Sequence, residues 1–377
     1  MMRLLAVAER EARFIFGSRI MLVALILVPL SSLVLIAAML SRGALEGLPV
    51  AVVDEAQSPV SRSVTALLAA RPELRIVPAP PSAFAAEVAM RRGELWAYAQ
   101  IPAGFGEPAG AADNRQPVRI FYNAAYLSVG SVLAQTFETA LTGAMRQEAM
   151  ERARRAGLPI DRIALPQVQV SVLFNPQASF EWFLQALIQP AILHLVAACV
   201  GVFAIARELD GASLARWRAE TGGGAVALAG KAIPYLAILA WWGAAWMIWL
   251  VGVKGWRMAG SLPATYAAQV ALLAATLAIS LALVATSRKD VIAYSVSALY
   301  AGSALAYSGG SLPIDGASLP ARIWHYALPF THYLEAQMDQ FLGAPTVLAI
   351  RSVILLTFYA LAALAIAGLT SDRDQMP

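Results

Sequence analysis

The sequence predicts a membrane α-helical protein with six spans and an extracytoplasmic α/β domain inserted between spans one and two. Three observations predict it. The 377-residue chain is 59% hydrophobic and only 14% charged, where a soluble domain carries roughly 25% charged residues. Its apolar residues cluster into runs near the ~20 residues that cross a hydrocarbon core of about 30 Å. Between the first two runs lies a stretch, 41–180, of largely soluble composition with its own strand and helix patterns.

Residues 1–19 read as a cytoplasmic amphipathic helix lying in the membrane interface. At about 100° per residue, Leu4, Val7, Ala8, Phe14 and Ile15 share one face, and Arg3, Glu9, Arg10 and Arg13 gather on the other. Glu11 falls in the apolar face, against the pattern. Residues 20–40 form the first span and contain no charge. The run is longer than a signal-peptide core and ends without a small-x-small site, so it is expected to stay as an anchor.

Within 41–180, "PVAVVDE", "LRIVPA", "LWAYAQIP" and "VRIFYN" read as strands. Ser58-Pro59 opens a helix over 58–70, a second helix covers 82–92, and a long one covers 125–156, ending at Gly157-Leu-Pro159. Residues 107–117 are a surface loop, and "VQVSVLFNP" is a strand returning the chain to the membrane. Residues 181–377 then form a five-span membrane domain. Its spans lie at 182–206, 232–253, 264–286, 291–310 and 346–369, with external re-entrant helices at about 311–345. Arg351, near the start of the last span, can snorkel to the interface.

The basic residues orient these spans. Arg3, Arg10, Arg13 and Arg19 precede the first, Arg207, Arg216, Arg218 and Lys231 follow the second, Arg288 and Lys289 follow the fourth, and Arg373 is in the tail. The opposite short loops hold only Lys254, Arg257, Arg322 and the boundary Arg351. The positive-inside rule therefore puts both termini in the cytoplasm and places 41–180 and 308–336 outside. It also accounts for the net charge of +4 and pI of 9.3 without nucleic acid as a partner. The single cysteine, Cys199, excludes an intrachain disulfide framework. "GGGAVALAGKA" (222–232) is no phosphate-binding loop: five residues rather than four separate Gly224 from Gly230, and Ala232 stands where the motif needs a hydroxyl. It reads instead as a flexible cytoplasmic loop ending in a lysine anchor.

Three groups of polar residues are candidates for function. Gln185, Gln189 and His194 lie inside the second span, where polar groups line a transport path or bond between helices. The charged, helix-forming segment 206–220 follows that span directly and is suited to be gripped by a partner. In 308–336, His325 and His332 stand near Asp315 and Glu335, which raises a metal-dependent hydrolase as an alternative. However, no short metal-ligand motif is present, and Pro329 interrupts any helix that would align the histidines. The same residues suit two short helices, one capped by Ser318 with Pro320 in its first turn, and a second capped by Thr331 and ending near Gly343. A third reading is a membrane anchor whose α/β domain binds a periplasmic adaptor.

Short segments in a fixed order carry a resemblance: "LFNP" and "FEWFL" entering span two, "ARELDGASLARW" after it, and "LP…LP" followed by "LPFTHYLE" in the external stretch. Together with the N-terminal helix and the large insertion, they resemble the membrane subunit of an ATP-binding-cassette exporter of the type-2 permease class, in its bacterial drug-export-like branch. The resemblance implies ATPase coupling through Arg207, Glu208, Gly211, Ser213 and Arg216, although Ala212 intervenes and no basic residue precedes Gly211. It implies an outer gate built by Pro313, Pro320, His325, Pro329 and His332. It further implies a non-enzymatic permease of the bacterial inner membrane that pairs with a second, identical or different, permease. Two separate ATPase subunits would hold the ATP and Mg, with a periplasmic adaptor as a further candidate partner. A hydrophobic or amphipathic substrate would move outward, and this chain itself would bind no cofactor or metal.

Overall fold

The computed structural model describes residues 2–39, 47–105, 118–122, 127–155, 180–208, 211–311, 314 and 316–372. The chain divides into two compact units, one of Met1–Ser41 with Glu181–Pro377 and one of Arg42–Phe180.

The first unit is helical. Helix α1 (Met2–Gly17) stops at Ser18, whose side chain accepts from the Met21 N–H and restarts the chain as α2 (Arg19–Leu22). A π turn at Val23–Leu27 leads into α3 (Val28–Met39), and Arg19–Met39 together make a candidate span. Pro29 has no N–H for the Leu25 carbonyl four residues back. That carbonyl instead accepts from Trp242 Nε1 at 2.8 Å.

The second unit is a layered α/β fold. Strand β1 (Leu48–Asp54) is followed by α4 (Pro59–Ala69), β2 (Leu74–Ile76), α5 (Ala83–Arg91), β3 (Ala97–Ile101), β4 (Arg119–Tyr122) and α6 (Leu127–Arg155). The sheet order is β2-β1-β3-β4, parallel except for β4. Alternation along β1 sends Val50 and Val52 into a core with Val64 and Leu68 of α4 and Phe137 of α6. Ala51 and Val53 face the opposite core with Ala86 of α5. Ser58 and Ser82 cap α4 and α5. The expected strands and helices of this stretch are thus present. The surface loop at 107–117, the helix end at 157–159 and the returning strand in "VQVSVLFNP" lie outside the described residues.

The first unit resumes with α7 (Phe180–Ala206), α8 (Gly211–Thr221) and α9 (Gly224–Ile248), which runs through a π turn to Val253. Helices α10 (Leu262–Ser287), α11 (Asp290–Tyr307), α12 (Leu319–Ala327), α13 (Pro329–Phe341) and α14 (Thr346–Asp372) complete it. Helix α10 packs against α9, α11, α13 and α14. It also approaches α7 closely at Gly201, where a Cβ would stand 2.8 Å from that of Ser280.

Four details depart from expectation. Among the described residues five helices are long and apolar enough to cross a membrane: Arg19–Met39, Glu181–Ala206, Gly224–Val253, Leu262–Ser287 and Thr346–Thr370. The stretch expected as a further span, 291–310, forms α11, an 18-residue helix whose serines and tyrosines dilute its apolar character. The stretch 224–232, expected to be loop, is the start of α9, so Lys231 sits inside a helix. Thr331 does not cap α13: Leu328 precedes a helix that Pro329 opens, and Thr331 is buried in its first turn. Ser318 does precede α12, with Pro320 in the first turn, but its side chain makes no capping bond.

Candidate functional site

Three polar constellations stand out in the helical unit, and the most deeply built joins α1, the end of α7, and α9. Glu11 and Lys231 are each 1% exposed and Glu208 is 4% exposed. Lys231 Nζ lies 3.0 Å from Glu11 Oε2 and 2.9 Å from Glu208 Oε1. Arg207 pairs with Glu11 and, at 3.3 Å, with Glu208. Tyr235, one turn beyond Lys231, donates its hydroxyl to Glu11 Oε1 at 2.7 Å. The guanidinium of Arg207 stacks 3.6 Å over the Phe14 ring. Two carboxylates thus meet two cations in a neutral, nearly dry cluster.

The local sequence explains how they meet. Glu11 sits on the apolar face of α1 because that face is pressed against the bundle. Gly230 makes the contact possible, since a Cβ there would lie 2.9 Å from the Leu4 carbonyl oxygen. Helix α8 is held nearby by the buried Trp217 and by a surface pair between Arg10 and Glu220 at 3.4 Å.

Of the expected coupling residues, Arg207 and Glu208 therefore point into the fold. Arg216 on α8 is exposed. Gly211 and Ser213 lie in α8, with side chains outside the described residues. Sequence reasoning missed Glu11, Lys231 and Tyr235 as a group. A lone acid on an apolar helix face was the available signal.

The second constellation surrounds His194 of α7, which is fully buried. Thr276 donates to the Leu272 carbonyl at 2.8 Å, so its oxygen accepts from His194 Nδ1, also at 2.8 Å. The imidazole then presents an unprotonated Nε2 that has no partner. The rings of Tyr300 and Phe330 flank it, with centroids 5.3 and 5.4 Å away. Gln185 and Gln189 are buried as well, each with one amide atom unpaired. Pro190 frees the Ala186 carbonyl inside α7, and Gln337 of α13 fills the gap, donating Nε2 at 2.6 Å. Tyr333 holds that glutamine with a 2.5 Å bond to Oε1.

The third constellation is the α11–α13 corner. His325 is buried and its Nδ1 lies 2.7 Å from the Tyr307 carbonyl. His332 Nε2 lies 3.0 Å from the Tyr326 carbonyl. Both imidazoles approach Glu335, at 3.7 and 3.8 Å. The Glu335 carboxylate, 3.8 Å away, holds the His332 pKa above the usual histidine value, against its partial burial. Pro320 and Pro329 open α12 and α13, while Pro313 and Asp315 lie outside the described residues. No three His, Cys, Asp or Glu side chains among the described residues gather closely enough to hold a metal ion.

A family model described as "ABC-2 family transporter protein" matches residues 19–369. No curated protein and no solved structure matches the chain.

Proposed function

We propose, from the premise that the chain belongs to the ABC-2 family of transporter proteins, that this permease exports a hydrophobic or amphipathic substrate using separate ATPase subunits. The observation that carries this reading is the ion cluster of Glu11, Arg207, Glu208 and Lys231. It ties α1, the end of α7 and α9 into one body, and α8 leaves from that body with Arg216 exposed. A push on α8 from an ATPase would be carried by the cluster into α1 and two spans, because separating buried charges costs several kcal/mol. Arg207 and Glu208 act in this reading through the cluster, and Gly211, Ser213 and Arg216 through the α8 surface.

The arrangement we favour is a bacterial inner-membrane protein with both termini cytoplasmic, α11 crossing as a sixth span, and the α/β unit outside. Two permeases, identical or different, would form the pathway, with an adaptor as a further partner of the α/β unit. Lys254, one of the few cations assigned to the outer loops, is already neutralised by Glu181 at 2.6 Å, in keeping with that orientation. Gln185, Gln189 and His194 are buried in this conformation and would meet substrate when the helices part. Pro320, Pro329 and the paired histidines, with Pro313, would shape the exit.

The test is co-expression with candidate ABC ATPase subunits from the same genome, followed by reconstitution in liposomes. Arg216→Glu is expected to lower substrate-stimulated ATP hydrolysis by at least about tenfold, the effect of ~1.4 kcal/mol, while leaving insertion and folding unchanged. Wild-type coupling in Arg216→Glu removes α8 as the contact. A complex that neither captures an ATPase nor hydrolyses ATP removes the exporter reading.

A further inference from the structure

Two histidines on successive helices are turned toward one carboxylate, and the hydrogen bonds on their far sides fix how they face it. A backbone carbonyl only accepts, so His325 Nδ1 carries the proton donated to Tyr307 O at 2.7 Å. His332 Nε2 likewise carries the proton donated to Tyr326 O at 3.0 Å. In the neutral rings, His325 Nε2 and His332 Nδ1 are then bare lone pairs. These are the atoms that face Glu335, at 3.7 and 3.8 Å. Glu335 makes no ion pair with lysine or arginine among the described residues.

Two lone pairs set against a carboxylate repel it, and a cation between them turns repulsion into hydrogen bonding. A proton taken up by an imidazole is such a cation, and it needs no ligand beyond the ring and the carboxylate. We propose that His332 and Glu335, beside His325, form a proton-binding latch, which fastens the α12–α13 turn onto α13 in mildly acidic surroundings. With the proton on His332, its Nδ1–H donates to Glu335 while its Nε2–H stays on the Tyr326 carbonyl. His332 then ties the α12–α13 turn to Glu335, while His325 keeps its Nδ1–H on the Tyr307 carbonyl and stands on the other side of the same carboxylate. When the proton leaves, the carbonyl bonds remain and the His332 link to Glu335 is lost.

The groups around the latch do not cancel this charge balance. Asp339, one turn beyond Glu335, has its pKa raised by burial and then by Glu335. The Tyr326 ring lies 4.8 Å from that of His325. On α14, the Tyr359 ring lies 6.1 Å from that of His332 and its hydroxyl donates to the Tyr326 carbonyl. Helix α11 contributes the Tyr307 carbonyl. None of these groups is cationic.

The sign follows from the raised pKa of His332. Its contribution to stability is fully present below about 6.5, the value of a free histidine, and is lost as pH rises through the raised value. Glu335 is 51% exposed, so solvent screening keeps the contribution modest.

The full-length chain in lipid nanodiscs, with isotope-labelled histidine, is titrated by NMR from about pH 5.5 to about pH 8.5, with the melting temperature read at each pH. The expected result is a His332 midpoint above about 6.5 and a melting temperature that falls across the same interval. Glu335→Gln, which keeps the side chain's shape, is expected to lower the His332 midpoint and flatten that fall. A wild-type midpoint at or below about 6.5 overturns the proposal, as does a pH dependence that survives in Glu335→Gln. Stoichiometric zinc binding by the wild type, lost in Glu335→Gln, also overturns it and makes the corner a metal site. No readout needs an ATPase, so the latch and the transport reading stand or fall separately.

Discussion

At Lys231 an ammonium group leaves water and receives Glu11 and Glu208, at 3.0 and 2.9 Å, in exchange. Desolvation makes such a cluster a modest net stabiliser when whole and a severe liability when one member is removed. Lys231→Met is therefore expected to destabilise the helical unit by about 3–5 kcal/mol, since Arg207 alone would face both carboxylates. Unfolding in mixed detergent micelles measures this, and a loss under about 1 kcal/mol would mean that water reaches the cluster. Half of this site was legible. Glu11 stood out as an acid on an apolar face, but its partner did not. The glycines at 222–224 suggested a loop, whereas the helix they precede begins at Gly224 and carries Lys231 two turns inside. A contact across 220 positions leaves no local trace at either end.

Among the elements, two spans contain an interior proline whose orphaned carbonyl is served by another helix. Trp242 of α9 donates to Leu25 O, the group Pro29 leaves unpaired, and Gln337 of α13 donates to Ala186 O, left by Pro190. Gln337→Leu is expected to cost about 1–3 kcal/mol, the penalty for a buried polar group without a partner. Adding Pro190→Ala supplies the missing helical N–H and should recover part of that loss. A double-mutant cycle reads the coupling, and strict additivity would show that the two residues do not share the carbonyl. The positions of the long apolar helices were legible from run length alone. The status of α11 was not, because Ser295, Ser297, Ser303 and three tyrosines leave it short of the other helices in apolarity. Thr331 misled for a simpler reason: Pro329 is itself an effective helix start, so α13 begins two residues before the hydroxyl.

At the scale of the whole molecule, the chain holds two units with separate cores. The α/β unit has a mixed sheet, parallel but for β4, with an apolar core on each face, the arrangement that lets parallel strands be buried within one unit. Residues 42–180 expressed alone are expected to be soluble and to melt cooperatively, followed by far- and near-UV circular dichroism. A non-cooperative melt or aggregation would mean that the membrane helices complete its core. This unit was legible because strand alternation, serine caps and the Pro59 helix start agree locally. The α1 cradle against the bundle was not, since it depends on Gly230 giving passage to the Leu4 backbone.

The joining of Glu11 to its distant partners also sets an order of events at the ribosome. Glu11 is synthesised first, Arg207 follows 196 positions later, Lys231 at 220 and Tyr235 at 224. At 5–20 residues per second, that is a wait of about ten to forty seconds. Throughout it, the N-terminal helix carries an unanswered acid on its apolar face. Helix α1 is thus made long before its partners and is among the last elements to be secured, and a nascent chain stopped before Gly224 should leave it open to protease.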